Sequence, residues 1–106
     1  MEARVVIAEA GDGQMDDLVN FWDHEALEVI RTAQGNRGFL LLADPDTNRA
    51  IAISLWDTKQ EADDAGALFA AHANEFKQYM SHEPSREDFE VRIASLHEAS
   101  IRPEPS

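Results

Sequence analysis

Apolar residues recur at strand and helix spacings along the first third of the chain. The segment 4–10 is short and rich in β-branched residues, which is typical of a strand, and Gly11, Asp12 and Gly13 end it with turn chemistry. From 15 to 33, apolar residues three and four positions apart form one stripe, which predicts a helix. The members of this stripe are Met15, Leu18, Val19, Trp22, Ala26, Val29, Ile30 and Ala33.

The middle of the chain predicts two strands and a second helix. Segments 38–43 and 49–56 read as strands, and the Pro- and Asp-containing turn between them favours a hairpin. Thr58 and Glu61 fit a capping box, in which Thr58 caps the helix and Glu61 reaches back to it. We expect this helix to run to about residue 81.

The segment 89–96 alternates apolar and polar residues and predicts the last strand. The order of elements is therefore β-α-β-β-α-β, the split βαβ arrangement of a ferredoxin-like sandwich. In this α+β fold, both helices lie on one face of a four-stranded antiparallel sheet.

The strands carry apolar residues on both faces, and this pattern predicts a dimer. A sheet with one wet face alternates apolar and polar side chains. Residues 39–42 are instead all apolar, and segments 4–10 and 49–56 have apolar residues at both parities. One face packs on the helices, and the chain offers no third layer for the other. We therefore expect a homodimer in which the open sheet faces meet; the alternative is a monomer with a modestly apolar outer face.

Length and charge limit the classes of function. The 106 residues fit one domain, expected over 1–98, followed by a flexible proline-rich tail at 99–106. The absence of cysteine excludes disulfides, thiolate metal sites and a thiol nucleophile. Nine basic against 21 acidic residues give a net charge of −12, which argues against nucleic acid and anionic membranes as partners. We expect no signal peptide, no membrane span and a cytoplasmic location.

Several short motifs resemble the antibiotic biosynthesis monooxygenase (ABM) type of dimeric α/β barrel. Gly38 and Phe39 open the second strand, as a Gly-Phe pair does in that family. Trp56 followed by Asp57 is similar to the step that precedes the family's second helix, and the segment 85–91 resembles its entry to the last strand. The motifs occur in the family's order and span nearly the whole chain.

The resemblance implies a cleft between the helices and the sheet of each subunit. Members of the family include cofactor-free oxygenases of polycyclic phenols or quinols, haem-degrading proteins and proteins without an assigned reaction. We therefore expect a cofactor-independent monooxygenase-like protein for a flat aromatic substrate, with no cofactor and no metal. The alternatives are a non-catalytic ligand-binding or structural dimer and, more weakly, a haem-binding or haem-degrading protein.

The haem-degrading members carry a histidine late in the second helix, a Trp on that helix and an Asn on the first strand. His72 resembles the histidine, but Gly66 stands about where the Trp is expected, and the first strand has no Asn. Two of the three parts are therefore missing.

His72 is the first catalytic candidate, because it falls on the apolar stripe of the second helix, where its imidazole would point toward the sheet. A pocket imidazole can accept the proton of a phenol or ligate a metal; the alternative is a core-edge histidine bonded to a backbone carbonyl. Tyr79 flanks the same stripe as a second catalytic candidate that could donate a hydrogen bond, or as a boundary tyrosine.

Four aromatic residues are candidates for the walls of a substrate site, with core packing as the alternative. They are Trp22, Trp56, Phe69 and Phe76. On the first helix, His24 and Glu28 have the i, i+4 spacing of metal ligands, but they lie opposite the apolar stripe, which favours a solvated face. His82 and His97 have no predicted role.

Overall fold

Four strands and two interrupted helices make up the part of the chain that the structure, a computed structural model, describes. This part covers residues 1–97, and the tail predicted at 99–106 lies outside it. The strands are β1 (Glu2–Glu9), β2 (Asn36–Asp44), β3 (Arg49–Trp56) and β4 (Ser85–Glu90). One helix follows β1 and the other follows β3, so the predicted order β-α-β-β-α-β is confirmed.

Helix α1 is irregular at its centre. It consists of an α-helix (Met15–Phe21), a π-helical turn (Trp22–Ala26) and a second α-helix (Leu27–Thr32). A π turn holds one residue more than an α turn, so the buried face shifts along the sequence at this point. The buried set also includes Phe21, which follows Leu18 by three residues and was left out of the predicted stripe. Its members are Leu18, Phe21, Trp22, Ala26 and Ile30.

Helix α2 comprises an α-helix (Lys59–Phe69), a 3₁₀ turn (Ala70–His72) and a short α-helix (Ala73–Lys77). The predicted capping box is confirmed, because the Glu61 amide donates to Thr58 Oγ1 over 3.2 Å and the Thr58 hydroxyl donates to Glu61 Oε1 over 3.0 Å. The helix ends earlier than the residue expected from the sequence, about 81. Within residues 1–97, no helix is long and apolar enough to cross a bilayer.

The four strands form one antiparallel sheet in the order β2-β3-β1-β4. Ser54 of β3 pairs with Arg4 of β1 on one side and with Phe39 of β2 on the other. Cross-strand partners point to the same face of a sheet, and here that face lies under the helices. The predicted α+β ferredoxin-like fold is therefore confirmed, and the register brings these three side chains together.

The last strand lies earlier in the chain than the segment predicted from alternation, 89–96. Its register pairs Ser85 with Ile7 and Glu90 with Glu2, the first residue of β1, and the Val91 amide donates to the Met1 carbonyl over 2.9 Å. Later residues run past the end of β1 and have no strand to pair with. Residues 91–97 accordingly have no regular secondary structure. The predicted position was wrong because strand pairing, rather than side-chain alternation, defines the strand here.

Candidate functional site

A cavity of about 80 Å³ lies between the sheet and the two helices. Small side chains leave this space open: Ala52 lies on β3, and Ala62, Ala65 and Gly66 lie on the facing side of α2. Larger residues at these positions would close the gap between helix and sheet. The cavity is therefore located where the ABM resemblance implied a cleft.

Five aromatic side chains line the cavity, and three of their rings stack on one another. The Trp22 ring lies parallel to that of Phe69 at 5.5 Å between centroids and close to parallel to that of Phe39 at 5.6 Å. Phe76 meets Trp22 edge-on at 5.4 Å. Trp56 completes the set and is 2% exposed. All four predicted wall residues line the cavity, together with Phe39, which was not among the predicted wall residues.

One hydroxyl group faces this apolar space. Ser54 lines the cavity, is buried, and accepts a hydrogen bond of 2.8 Å from Trp56 Nε1. The serine oxygen is thus used as an acceptor, and its own proton is available to a ligand oxygen. Ser54 was not among the residues predicted from the sequence. The sequence feature that could have revealed Ser54 is its position between Ala52 and Trp56, because it is a polar residue among the alternate positions of β3 that face the helices.

Arg4 closes one end of the cavity and is 7% exposed. Its guanidinium donates to the Ala62 carbonyl over 2.8 Å, to Asp88 over 2.9 Å and to Asp63. The hydrogen bonds between Arg4 and the two aspartates lower the pKa of Asp88 and of Asp63 below the ordinary value of an aspartate. The same bonds raise the pKa of Arg4. The neighbouring Lys59 and Arg86 also lower the pKa of both carboxyls, so cations as well as anions surround this end of the cavity.

The two predicted catalytic residues lie outside the cavity wall. In the 3₁₀ turn, residues three apart eclipse, so the half-buried His72 lies beside Phe69, with 6.4 Å between ring centroids. Phe69, and not His72, lines the cavity. Tyr79 packs near Phe21 at 6.0 Å, and its backbone carbonyl accepts from the Gly11 amide over 2.9 Å. The catalytic roles of His72 and Tyr79 stay predictions.

The remaining histidines that the sequence singled out are exposed. His24 and Glu28 lie on the solvent face of α1, as the sequence favoured. His82 lies 3.6 Å from a carboxylate oxygen of Glu9, and the side chain of His97 is exposed beyond β4. None of these residues lines the cavity.

Solved structures share this fold at low sequence identity. A protein of Nitrosomonas europaea assigned to the antibiotic biosynthesis monooxygenases superposes with a TM-score of 0.75 at 16% identity, covering 88% of this chain and 100% of that one. A monooxygenase of Streptomyces coelicolor, solved in complex with the ligand nanaomycin D, gives 0.73 at 17% identity over 92% of both chains. A mutant of MhuD with two manganese protoporphyrin IX molecules in each active site gives 0.73 at 19%, covering 92% of this chain and 100% of that one.

No protein-family model and no curated protein sequence matches the chain. The structural neighbours nevertheless share its ferredoxin-like fold, and the fold expected from its motifs is confirmed. Because these identities lie below 20%, the likeness defines the architecture, and the reaction has to be argued from the site.

A haem does not fit the cavity in this conformation. Sites for drug-sized ligands and cofactors have volumes of about 300–1,000 Å³, several times the 80 Å³ found between the sheet and the helices. His72, the candidate axial ligand, is not part of the wall. Haem binding therefore stays the weakest of the three functional hypotheses.

Proposed function

We propose that this chain is a monooxygenase-like protein that binds a flat, uncharged phenol or quinol in the cavity between its sheet and helices. The observation that carries the proposal is the combination of stacked aromatic walls with a single inward hydroxyl donor, Ser54. Aromatic walls favour a planar ligand, and the Ser54 proton selects one that presents an oxygen acceptor. Because most of the lining is apolar, desolvating a charged ligand here would be costly, which favours an uncharged one.

The size of the cavity implies that one wall residue moves when a ligand binds. A dry cavity of roughly 150 Å³ is known to accept benzene, whereas this one measures about 80 Å³. Among the aromatic wall residues, Phe39 and Phe69 are half-buried, and Phe69 directly precedes the 3₁₀ turn of α2. We expect its ring to swing outward, which enlarges the cavity.

The same movement gives His72 a part in the reaction. Its ring is a direct neighbour of Phe69, so a ligand occupying the space of the Phe69 ring would reach the imidazole. His72 then accepts the phenol proton, and the electron-rich phenolate reacts with O₂. One oxygen atom enters the ring to give a quinone, and the other leaves as water together with two hydrogens of the substrate. Tyr79 stays a candidate for a second donor.

The reaction is tested by oxygen uptake with a panel of phenols and quinols, with products identified by mass spectrometry. We expect the wild type to turn over a substrate. His72→Ala should lower the turnover rate at least about tenfold, because a positioned base contributes about 10²–10⁴-fold to the rate. Ser54→Ala should bind the substrate more weakly. His24→Ala removes an exposed histidine and serves as the control. Equal turnover by His72→Ala and wild type would remove His72 from the mechanism.

A non-catalytic ligand-binding dimer is the second candidate. It is favoured by one observation: the cavity wall contains no imidazole and no carboxylate in this conformation. It predicts that a phenol or quinol binds the wild type without consumption of oxygen. The same oxygen-uptake experiment therefore separates the two candidates.

The open face of the sheet supports the proposed homodimer. Leu40 is 54% exposed, Leu42 43% and Phe89 51%. Their cross-strand partners include Ile53 and Ile51, so the exposed groups belong to one apolar surface, here called the open face. A second copy that covers the open face through a two-fold axis would bury it. The predicted cytoplasmic location stays part of the proposal.

A further inference from the structure

Three potential metal ligands converge where α1 and α2 meet. Glu25 lies in the π turn of α1, and His72 and Glu75 lie in and just after the 3₁₀ turn of α2. One ligand atom from each side chain lies within 4.8 Å of the other two. Within residues 1–97, no other group of three such side chains comes this close.

The cluster differs from an ordinary patch of acidic surface residues. It contains an imidazole, which mixed nitrogen–oxygen sites use for transition metals. Two of its members are half-buried, and they form a His-x-x-Glu pair on adjacent turns of one helix. The third ligand comes from the other helix, so an ion at this position would join two elements that otherwise meet through aromatic packing. The exposed Glu25 and the solvent beside it leave a coordination position open.

The spacing suits a small transition-metal ion. With metal–ligand distances of about 2.0–2.2 Å, ligand atoms of a tetrahedral site lie about 3.4 Å apart. The atoms in the cluster need to close by about 1.4 Å at most, which rotation of Glu25 and Glu75 about their side-chain bonds can supply. Ca²⁺ prefers six to eight oxygen ligands, and a set of one nitrogen and two carboxylates does not offer them.

We propose that Glu25, His72 and Glu75 bind a divalent transition metal of the Zn²⁺ class, with water at the fourth position. The ion would link the π turn of α1 to the 3₁₀ turn of α2, next to the Phe69 ring that lines the cavity. None of its three ligands lines the cavity, but the site shares His72 with the proposed reaction, and an ion bound to this imidazole would block its role as a base. The test of the metal site reads metal binding alone, so the outcome does not depend on whether a phenol is oxidised.

The experiment is a titration of the purified chain with ZnCl₂ by calorimetry, with thermal unfolding as a second readout and Co²⁺ absorption as a report of coordination geometry. We expect one Zn²⁺ per chain, a raised Tm and a Co²⁺ spectrum of four- or five-coordinate character. Removing a residue that only hydrogen-bonds to a metal ligand typically lowers the metal affinity about 10–100-fold. His72→Ala and Glu75→Gln each remove a direct ligand, so we expect them to lower the Zn²⁺ affinity by at least this factor.

Matched controls separate a built site from general attraction to a chain of charge −12. His24→Ala and Glu28→Gln remove an exposed histidine and an exposed carboxylate from α1 and should leave the Zn²⁺ affinity unchanged. Ca²⁺ at the same concentration should not displace Zn²⁺. Absence of binding by the wild type, equal affinity in His72→Ala and Glu75→Gln, or equal loss in the control variants would each overturn the proposal.

Discussion

Arg4 is the residue on which one end of the cavity depends. It is a buried cation on the helix-facing side of β1, and its guanidinium joins the Ala62 carbonyl of α2 to Asp88 of β4. A buried charge is tolerated only when its donors are paired. Arg4 therefore connects three elements at the point where Gly66 comes closest, since a Cβ on Gly66 would lie 3.4 Å from the guanidinium.

The Arg4 network predicts loss of stability in acid. Arg4 holds the pKa of Asp88 below the ordinary 3.8 in the folded state. A carboxyl with a depressed folded pKa contributes stability that is complete above its unfolded pKa and is lost as the pH falls through the folded pKa. We expect the free energy of unfolding, measured in urea, to fall between about pH 5 and pH 2, and to fall less in Asp88→Asn. Asp12→Asn removes an exposed carboxylate away from Arg4 and should follow the wild type; an unchanged profile in Asp88→Asn would contradict this account.

At the residue scale, the sequence predicted the apolar part of the site and missed its polar part. Helical spacing and aromatic character were enough to predict that Trp22, Phe69 and Phe76 line the site. Ser54 and Arg4 were missed because their importance follows from pairing across strands, which brings residue 4 beside residue 54. The register of a sheet is a long-range property that local patterns do not specify.

At the scale of the elements, both helices change their winding where they face each other. The π turn of α1 allows Phe21 and Trp22 to be buried side by side, and the 3₁₀ turn of α2 places His72 beside Phe69. Neither irregularity was predicted, because regular spacing was assumed throughout each helix. The position of the last strand was missed for a related reason, since its pairing with β1 outweighed its alternation.

The N-terminus of α2 offers a test of local helix stability. Thr58 accepts the Glu61 amide hydrogen bond and is the only side-chain cap found at the helix starts within residues 1–97. Replacing an N-cap threonine by alanine removes that acceptor and costs about 1 kcal/mol. We expect Thr58→Ala to lower the free energy of unfolding in urea by this amount and Thr58→Ser to restore most of it. Equal stability of Thr58→Ala and wild type would show that the cap is satisfied by water.

At the scale of the whole molecule, the open face is the surface where we propose that a second copy packs. Large apolar side chains exposed together on one face are typical of an interaction surface. The sequence predicted this face from apolar residues at both parities of the strands, whereas its occupant follows from symmetry rather than from any residue pattern.

A charge placed on the open face should separate the dimer. We expect wild-type protein to sediment as a dimer at equilibrium and Leu40→Glu to sediment as a monomer, because the proposed interface would bury an unpaired carboxylate. Leu68→Glu is the matched control, since Leu68 is 62% exposed on α2, away from the open face. A monomeric wild type, or a dimeric Leu40→Glu variant, would contradict the proposed interface.

The central claim is that the cavity binds a flat aromatic ligand, and the most direct test is a titration with a single-ring quinol followed by tryptophan fluorescence. Ala65 lines the cavity on α2, and Ala67 is exposed two residues further along the same helix. We expect saturable binding by the wild type and by Ala67→Leu. Ala65→Leu should not bind, because its longer side chain fills the cavity. Near-ultraviolet circular dichroism of Ala65→Leu should show that its fold is intact. Equal binding by Ala65→Leu and wild type, or no binding by the wild type to any phenol or quinol in the panel, would contradict the claim.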